Sequence, residues 1–108
     1  MLQAWLRAFV FTQLIEIPIY MRGLRCGLPA AFGASALTHP VVWFLFFSPR
    51  WAAPYAVKLV AAELFAWLVE AAYFRLAWKK SRAWLWSLLA NAASLSLGLV
   101  SRRLFGGP

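Results

Sequence analysis

The sequence predicts an all-α membrane protein, a bundle of four transmembrane helices that forms a single domain over residues 1–108. Apolar residues make up 64% of the 108 residues and charged residues 13%, against roughly 45–50% and 25% in soluble proteins. The apolar residues form four segments separated by loops rich in glycine, proline or basic residues, and the predicted spans are approximately 2–20, 29–47, 54–78 and 83–104. At least three segments reach the length of about 18 residues that crosses a bilayer.

The first segment has two interpretations. Its polar and aromatic side chains recur on one side at helical spacing, namely Trp5, Phe9, Thr12, Gln13, Glu16 and Tyr20. Arg7 and Glu16 each oppose insertion by roughly 2.5–3.5 kcal/mol near a helix centre, and Pro18 predicts a kink or a helix end near Glu16. We expect a spanning helix, and an interfacial helix with a solvated Glu16 is the alternative. Gln13 and Glu16 also interrupt the apolar run of a signal peptide, so we expect the segment to be retained.

The second segment joins a small-residue half to an aromatic half. Residues 30–36 are mostly alanine, glycine and serine, which lets another helix approach closely. Thr38-His39-Pro40 then predicts an interruption, because Pro40 leaves the Ala36 carbonyl without its usual donor. Thr38, water or a neighbouring helix would have to supply another donor. His39 is either a hydrogen-bonded packing residue or a ligand or proton carrier.

The third segment carries two glutamates in a run of sixteen residues, 59–74, that contains no basic side chain. Glu63 and Glu70 are seven residues apart and therefore share one helix face. Carboxylates are costly in hydrocarbon and usually face a bundle interior or a wet cavity. Lys58 and Arg75 flank the run about 25 Å apart, at roughly 1.5 Å per residue, so both can reach the bilayer edges.

The fourth segment has a stripe of small and polar residues at intervals of four, three and four, made of Ser87, Asn91, Ser94 and Gly98. Such a stripe predicts a close helix–helix contact with hydrogen bonds between helices. We expect Asn91 and Ser94 to face the third helix and to satisfy Glu63 or Glu70. A direct substrate role for Asn91 is the alternative. The tail, residues 105–108, is predicted to be mobile.

These segments predict an intramembrane polar site that contains Glu16, His39, Glu63, Glu70 and Asn91. Three chemistries remain open for it. His39, Glu63 and Glu70 suit a hard or borderline metal cation such as Zn²⁺, Mn²⁺ or Fe²⁺. The same groups would otherwise relay protons, since burial shifts carboxyl titration and histidine titrates near neutrality. The third possibility is a network of hydrogen bonds alone. No cofactor can be identified.

Several function classes are excluded by the sequence. It contains no phosphate loop, dinucleotide fingerprint, zinc-protease helix or nucleophile elbow. With no aspartate and a single histidine, one chain cannot assemble a Ser-His-Asp triad. The net charge is +8, but the basic residues lie in small groups between apolar runs, which favours lipid headgroups over nucleic acid. The dense group at 79–82 favours a cytoplasmic loop.

Four short motifs follow one another along the chain: EIPIY, THPVVW, ELFAWLVEAAYF and SLLANAASLSLG. This succession resembles uncharacterised small polytopic membrane proteins of bacteria. They share a Glu-Pro segment, a T-x-P-x-x-W segment, a helix with two glutamates and an N-x-x-S helix. The resemblance covers most of the chain and implies a multi-pass bacterial membrane protein without a known activity.

We therefore expect a non-enzymatic subunit of a membrane complex or transport system in the cell inner membrane. Its expected partners are the lipid bilayer and other membrane subunits or further copies of the chain. Four helices leave little room for a complete transport pathway, and the intramembrane acids outnumber internal cations, which indicates missing partner surface. The alternative is a membrane-embedded metal-dependent enzyme or a proton or cation carrier that uses Glu16, His39, Glu63 and Glu70.

Overall fold

The computed structural model describes residues 2–105, and all regular structure in this range is helical. The elements are α1 (Leu2–Gly23), α2 (Leu28–Val41), a π-helical segment (Val42–Phe46), α3 (Tyr55–Ala77) and α4 (Ala83–Phe105). Each helix packs on its sequence neighbours, and α4 also packs on α1. The four helices therefore form a closed ring. The longest dimension of the bundle is 37 Å. The predicted all-α fold with four helices is confirmed for these residues.

Two helical stretches of the described chain are long and apolar enough to cross a membrane, Leu28–Phe46 and Ala83–Leu104. Helices α1 and α3 have the length, with 22 and 23 residues, but each carries several charged residues along it. A bundle with four spans is therefore not confirmed by length and composition.

Helix α1 continues through Pro18 to Gly23, so the helix end predicted near Glu16 is wrong. Side chains on one inward face attach α1 to the other helices both before and after Pro18. Gln13, Glu16 and Tyr20 on this face are 6%, 1% and 0% exposed, and each bonds to another helix. Because Glu16 is buried inside the bundle, the alternative with a solvated Glu16 is also wrong.

The predicted interruption near Pro40 is present as a change of helix type, because α2 ends at Val41 and a π-helix begins at Val42. The Val42 N–H donates to the carbonyls of both Thr38 and His39, and a wider π-helical turn follows immediately. In this turn the Phe47 N–H reaches the Val42 carbonyl at 3.2 Å. The Thr38 hydroxyl lies 3.3 Å from the Ala34 carbonyl and does not bond to the Ala36 carbonyl that the proline leaves free.

Small residues of α2 form much of the core, as residues 30–36 predicted. Ala30, Ala31 and Ala34 are at most 2% exposed. The hydroxyl of Tyr73 on α3 donates to the Ala30 carbonyl at 2.9 Å, and a Cβ added at Gly33 would overlap that hydroxyl. The close approach of α2 and α3 therefore requires small side chains here.

The predicted mobile tail is only partly within the described chain. Phe105 is the last residue of α4, so the helix is one residue longer than predicted. The remaining tail, residues 106–108, lies outside the described residues.

Candidate functional site

Side chains from all four helices line one cavity of about 380 Å³. The structure brings the five predicted site residues into its wall: Glu16 from α1, His39 from α2, Glu63 and Glu70 from α3, and Asn91 from α4. The cavity extends from exposed side chains at one end of the bundle to buried carboxyls at its centre. A polar centre enclosed by four helices is therefore present, and the role of its residues stays a prediction.

Glu70 receives one hydrogen bond from each of the other three helices. The Tyr20 hydroxyl donates to Oε1 at 2.5 Å, and the Thr38 hydroxyl donates to Oε2 at 2.5 Å. The Asn91 amide donates to Oε1 at 3.3 Å, which is the contact that we predicted for Asn91. Glu70 itself is 1% exposed. These bonds join α1, α2 and α4 to α3 at one carboxyl.

Glu16 is held in the same way, by two serines. The Ser35 hydroxyl donates to Oε1 at 2.8 Å and the Ser94 hydroxyl donates to Oε2 at 2.6 Å. The prediction that Ser94 faces α3 is therefore wrong, since its partner lies on α1. The reason is that α4 packs against both α3 and α1. Its stripe divides between them, and the Ser87 hydroxyl bonds to the Trp67 carbonyl of α3 at 2.9 Å.

The last member of the stripe, Gly98, does not mark a close approach. A Cβ added there would meet a Phe11 ring atom at 3.7 Å, which is ordinary van der Waals contact. Packing against α1 therefore does not require a glycine at position 98.

Glu63 differs from the other two carboxyls in its surroundings. It is half-buried in the cavity wall and makes no hydrogen bond or ion pair with a described residue. Its electrostatic neighbours are the acids Glu70 and Glu16. Of the three carboxyl side chains in the sequence, Glu63 is the one with both oxygens free to accept a hydrogen bond.

His39 is surrounded by aromatic rings. Its ring centroid lies 6.0 Å from that of Trp5, 5.4 Å from that of Phe9 and 6.3 Å from that of Trp43. Its Nδ1 is buried without a hydrogen-bond partner among the described residues. The aromatic contacts expected of a packing residue are therefore present, but Nδ1 lacks the expected hydrogen bond.

The metal hypothesis gains no support from this arrangement. Residues 2–105 contain no group of three or more His, Cys, Asp and Glu side chains that could hold a metal ion. Glu70 already accepts bonds at both oxygens, and the ring of His39 packs among aromatic side chains. The candidates His39, Glu63 and Glu70 therefore do not form a recognisable ligand set in this structure.

The hydroxyl donors of α1 and α2 were the part of the site that sequence reasoning missed. Tyr20 stood on the correct face of the first segment but was not assigned to Glu70. Ser35 stood among small residues that were assigned to packing, and Thr38 was assigned to a carbonyl. At the end of the cavity, Arg102 donates to the Tyr55 hydroxyl at 3.0 Å, and no sequence pattern connects these two residues.

The single cysteine lies outside the site, in the loop between α1 and α2. Cys26 is free and buried. Burial raises the pKa of its thiol, which lowers the thiolate fraction at neutral pH and with it the reactivity.

Comparison of the chain with protein-family models, curated proteins and solved structures gives no match. The function proposed below therefore rests on the chemistry of the cavity and on the surface of the bundle.

Proposed function

We propose that the chain is a multi-pass protein of a bacterial inner membrane in which all four helices span the bilayer. The observation that supports this is the distribution of polarity in the bundle. The buried Gln13, Glu16 and Glu70, which make α1 and α3 less apolar, lie inside. Large apolar side chains are exposed along every helix, among them Leu6, Val10, Leu14, Phe32, Leu37, Val60, Leu64, Leu68, Leu85 and Leu89. A soluble monomer rarely exposes so continuous an apolar surface.

The dimensions of the helices support the same proposal. At about 1.5 Å per residue, 22 or 23 residues extend over roughly 33–35 Å, which exceeds a bilayer core of about 30 Å. The exposed Arg22, Arg75 and Arg102 lie close to helix ends. Long basic side chains at these places can extend to the lipid headgroups.

Reporter fusions at the N-terminus, after Arg25, Arg50 and Ser81, and at the C-terminus test this topology. Alternation of sides from each fusion to the next is the expected result. If the Arg25 and Arg50 fusions report the same side, α2 does not span. If the Arg50 and Ser81 fusions agree, α3 does not span.

Within the membrane, we infer a non-enzymatic role as a subunit of a complex or of a transport system. The cavity supports this inference most directly. Its lining begins at the exposed Tyr55 and Arg102 and extends no further along α3 than the buried Glu70. A cavity that ends at the centre of the bundle can bind a ligand but does not form a continuous path across it. Transport would then need a second copy of the chain or another subunit.

The buried acids are not a reason to expect a partner subunit. Glu16 and Glu70 receive their hydrogen bonds from the same chain, so these acids do not require a partner. The one-ended cavity is the feature that favours a partner. Native mass spectrometry of protein extracted in mild detergent, repeated from lipid nanodiscs, tests for one. We expect a dimer, a higher oligomer or a defined hetero-complex in both. A stable monomer in both preparations would contradict the subunit role.

A proton or cation carrier is the second candidate, and the free carboxyl of Glu63 favours it. The metal-dependent enzyme that the sequence also allowed has no such observation in its favour. Elemental analysis of the wild type, His39→Ala and Glu63→Gln separates these cases. We expect no stoichiometric metal in any of the three. Stoichiometric metal in the wild type that is lost in both variants would overturn the non-enzymatic proposal.

A further inference from the structure

We propose that the cavity binds a hydrophobic organic monocation, an ammonium group that carries aromatic or alkyl substituents, with the Glu63 carboxylate as its counter-ion. The inference rests on the proposed function only in taking this cavity as the binding site of the membrane protein. It names the ligand class that the proposed function leaves open.

The charge requirement comes from the three carboxyls. Glu16 and Glu70 have every carboxyl oxygen occupied by a hydroxyl donor of the chain, so neither can bind a ligand without losing a bond to another helix. Glu63 lines the cavity with both oxygens free, and its electrostatic neighbours are acids. A cation beside Glu63 would be attracted by its carboxylate, whereas an anion would be repelled.

The cavity wall determines which kind of cation fits. Four aromatic side chains line it, namely Phe11, Trp43, Phe47 and Tyr55, and Leu59, Leu95 and Leu99 add aliphatic surface. Aromatic rings attract ammonium groups through their negative faces, and they attract apolar substituents by excluding water. A small metal ion needs several oxygen or nitrogen ligands, and the described residues provide no such group. The wall therefore favours an organic cation over a metal ion.

The position of Glu63 suits a ligand that enters from the exposed end. Glu63 lies eight residues after Tyr55 and seven before Glu70, so it is about 12 Å from the first and about 10 Å from the second along α3. The volume of about 380 Å³ falls within the range of small-molecule pockets. A benzylammonium group can therefore reach Glu63 while its ring remains among the aromatic side chains.

The cavity also contains one permanent cation, Arg102, which does not neutralise Glu63. Its guanidinium donates to the Tyr55 hydroxyl at 3.0 Å and lies 5.8 Å from the Tyr55 ring centroid. Arg102 is exposed at the end of the cavity and is not among the electrostatic neighbours of Glu63. The carboxyl of Glu63 is thus left for a cation from outside the chain.

Isothermal titration calorimetry with benzyltrimethylammonium chloride, on protein in nanodiscs of neutral lipid, tests the proposal. Benzenesulfonate is the anionic control. Glu63→Gln removes the charge at nearly constant volume and breaks no hydrogen bond of the chain. We expect this variant to bind the cation roughly tenfold more weakly, which corresponds to about 1.4 kcal/mol. Glu63→Asp keeps the charge and should retain most of the binding.

A second pair of variants tests the aromatic wall. Trp43→Leu removes a ring that lines the cavity, and we expect binding roughly three- to thirtyfold weaker. Trp51→Leu makes the same change at an exposed position outside the lining and should bind as the wild type does. Thermal melting of each variant identifies any loss through misfolding.

The outcomes separate this inference from the proposed function. If the fusions show four spans but the folded wild type does not bind benzyltrimethylammonium, the inference fails and the proposed function stands. Binding that is equal in Glu63→Gln, or equal for benzenesulfonate, would also overturn the inference. If the chain does not integrate into the membrane, the proposed function itself fails.

Discussion

The two oxygens of Glu70 have different numbers of donors, and this difference predicts which donor matters more for stability. Oε1 accepts from Tyr20 at 2.5 Å and from Asn91 at 3.3 Å, whereas Oε2 accepts from Thr38 at 2.5 Å. Tyr20→Phe and Thr38→Val each remove one hydroxyl and largely preserve side-chain shape. After Tyr20→Phe, Oε1 still has the Asn91 amide. After Thr38→Val, Oε2 has no hydroxyl or amide donor, so the second variant should be less stable.

The magnitude follows from the burial of Glu70. The residue is 1% exposed, so water cannot easily replace the lost donor. A buried acceptor that loses its donor costs about 1–3 kcal/mol in soluble proteins, while side-chain bonds in membrane bundles average about 0.6 and reach about 1.7 kcal/mol. We therefore expect a loss of about 1.5–2 kcal/mol for Thr38→Val. For Tyr20→Phe we expect about 1 kcal/mol, because the ring keeps its contact with Phe74 at a centroid distance of 4.4 Å.

Equilibrium unfolding in mixed micelles, by titration with sodium dodecyl sulfate, measures these differences. Tyr55→Phe is the matched control for the tyrosine, since Tyr55 is 50% exposed and its hydroxyl bonds to the exposed Arg102. Thr12→Val is the control for the threonine, because Thr12 lines the cavity and makes no hydrogen bond to a described residue. The reasoning is refuted if Thr38→Val is as stable as Thr12→Val, or if Tyr20→Phe proves the more destabilising of the two.

Three further predictions concern α4 and the helices on which it packs. Asn91→Leu should lower the free energy of unfolding by about 1–2 kcal/mol, because it removes a donor to Glu70, and an unchanged melting temperature would contradict this. Gly98→Ala should be neutral or stabilising by up to about 1 kcal/mol, since it removes the helix penalty of glycine and its Cβ has room. Gly23→Ala should instead destabilise by about 1–3 kcal/mol, because its Cβ would overlap the Trp86 ring. Equal melting temperatures for the two glycine variants would show that the Trp86 ring moves aside without loss.

The helices and their inward faces could be predicted from the sequence because each depends on local spacing. Gln13, Glu16 and Tyr20 recur at intervals of three and four on α1, and all three are buried. Ser87 and Asn91 obey the same rule on α4. Helical periodicity assigns residues to a face whatever the neighbouring helix is, so these assignments did not need the tertiary structure.

The partners across the interfaces could not be predicted in the same way. Ser94 bonds to Glu16, 78 residues earlier in the chain, because α4 fits between two helices and the stripe turns gradually from one to the other. The continuation of α1 through Pro18 also depends on tertiary contacts, since the bonds of Glu16 and Tyr20 to other helices hold both sides of the proline. Relative rotation and axial register of helices are set by packing, and local sequence does not encode them.

The three carboxyls show why burial alone does not identify a functional acid in this bundle. An ionisable residue among membrane helices is a functional candidate by default. Here Glu16 and Glu70 have an alternative explanation, since hydroxyls from α1, α2 and α4 bond to them and hold the helices together. Glu63 is less buried than either, yet no bond within the described chain explains its presence in an apolar wall. A carboxyl that contributes no internal bond and faces two other acids opposes folding unless something else neutralises it. A proton or a cation can meet this requirement, so Glu63 is the carboxyl on which the proposed ligand would act.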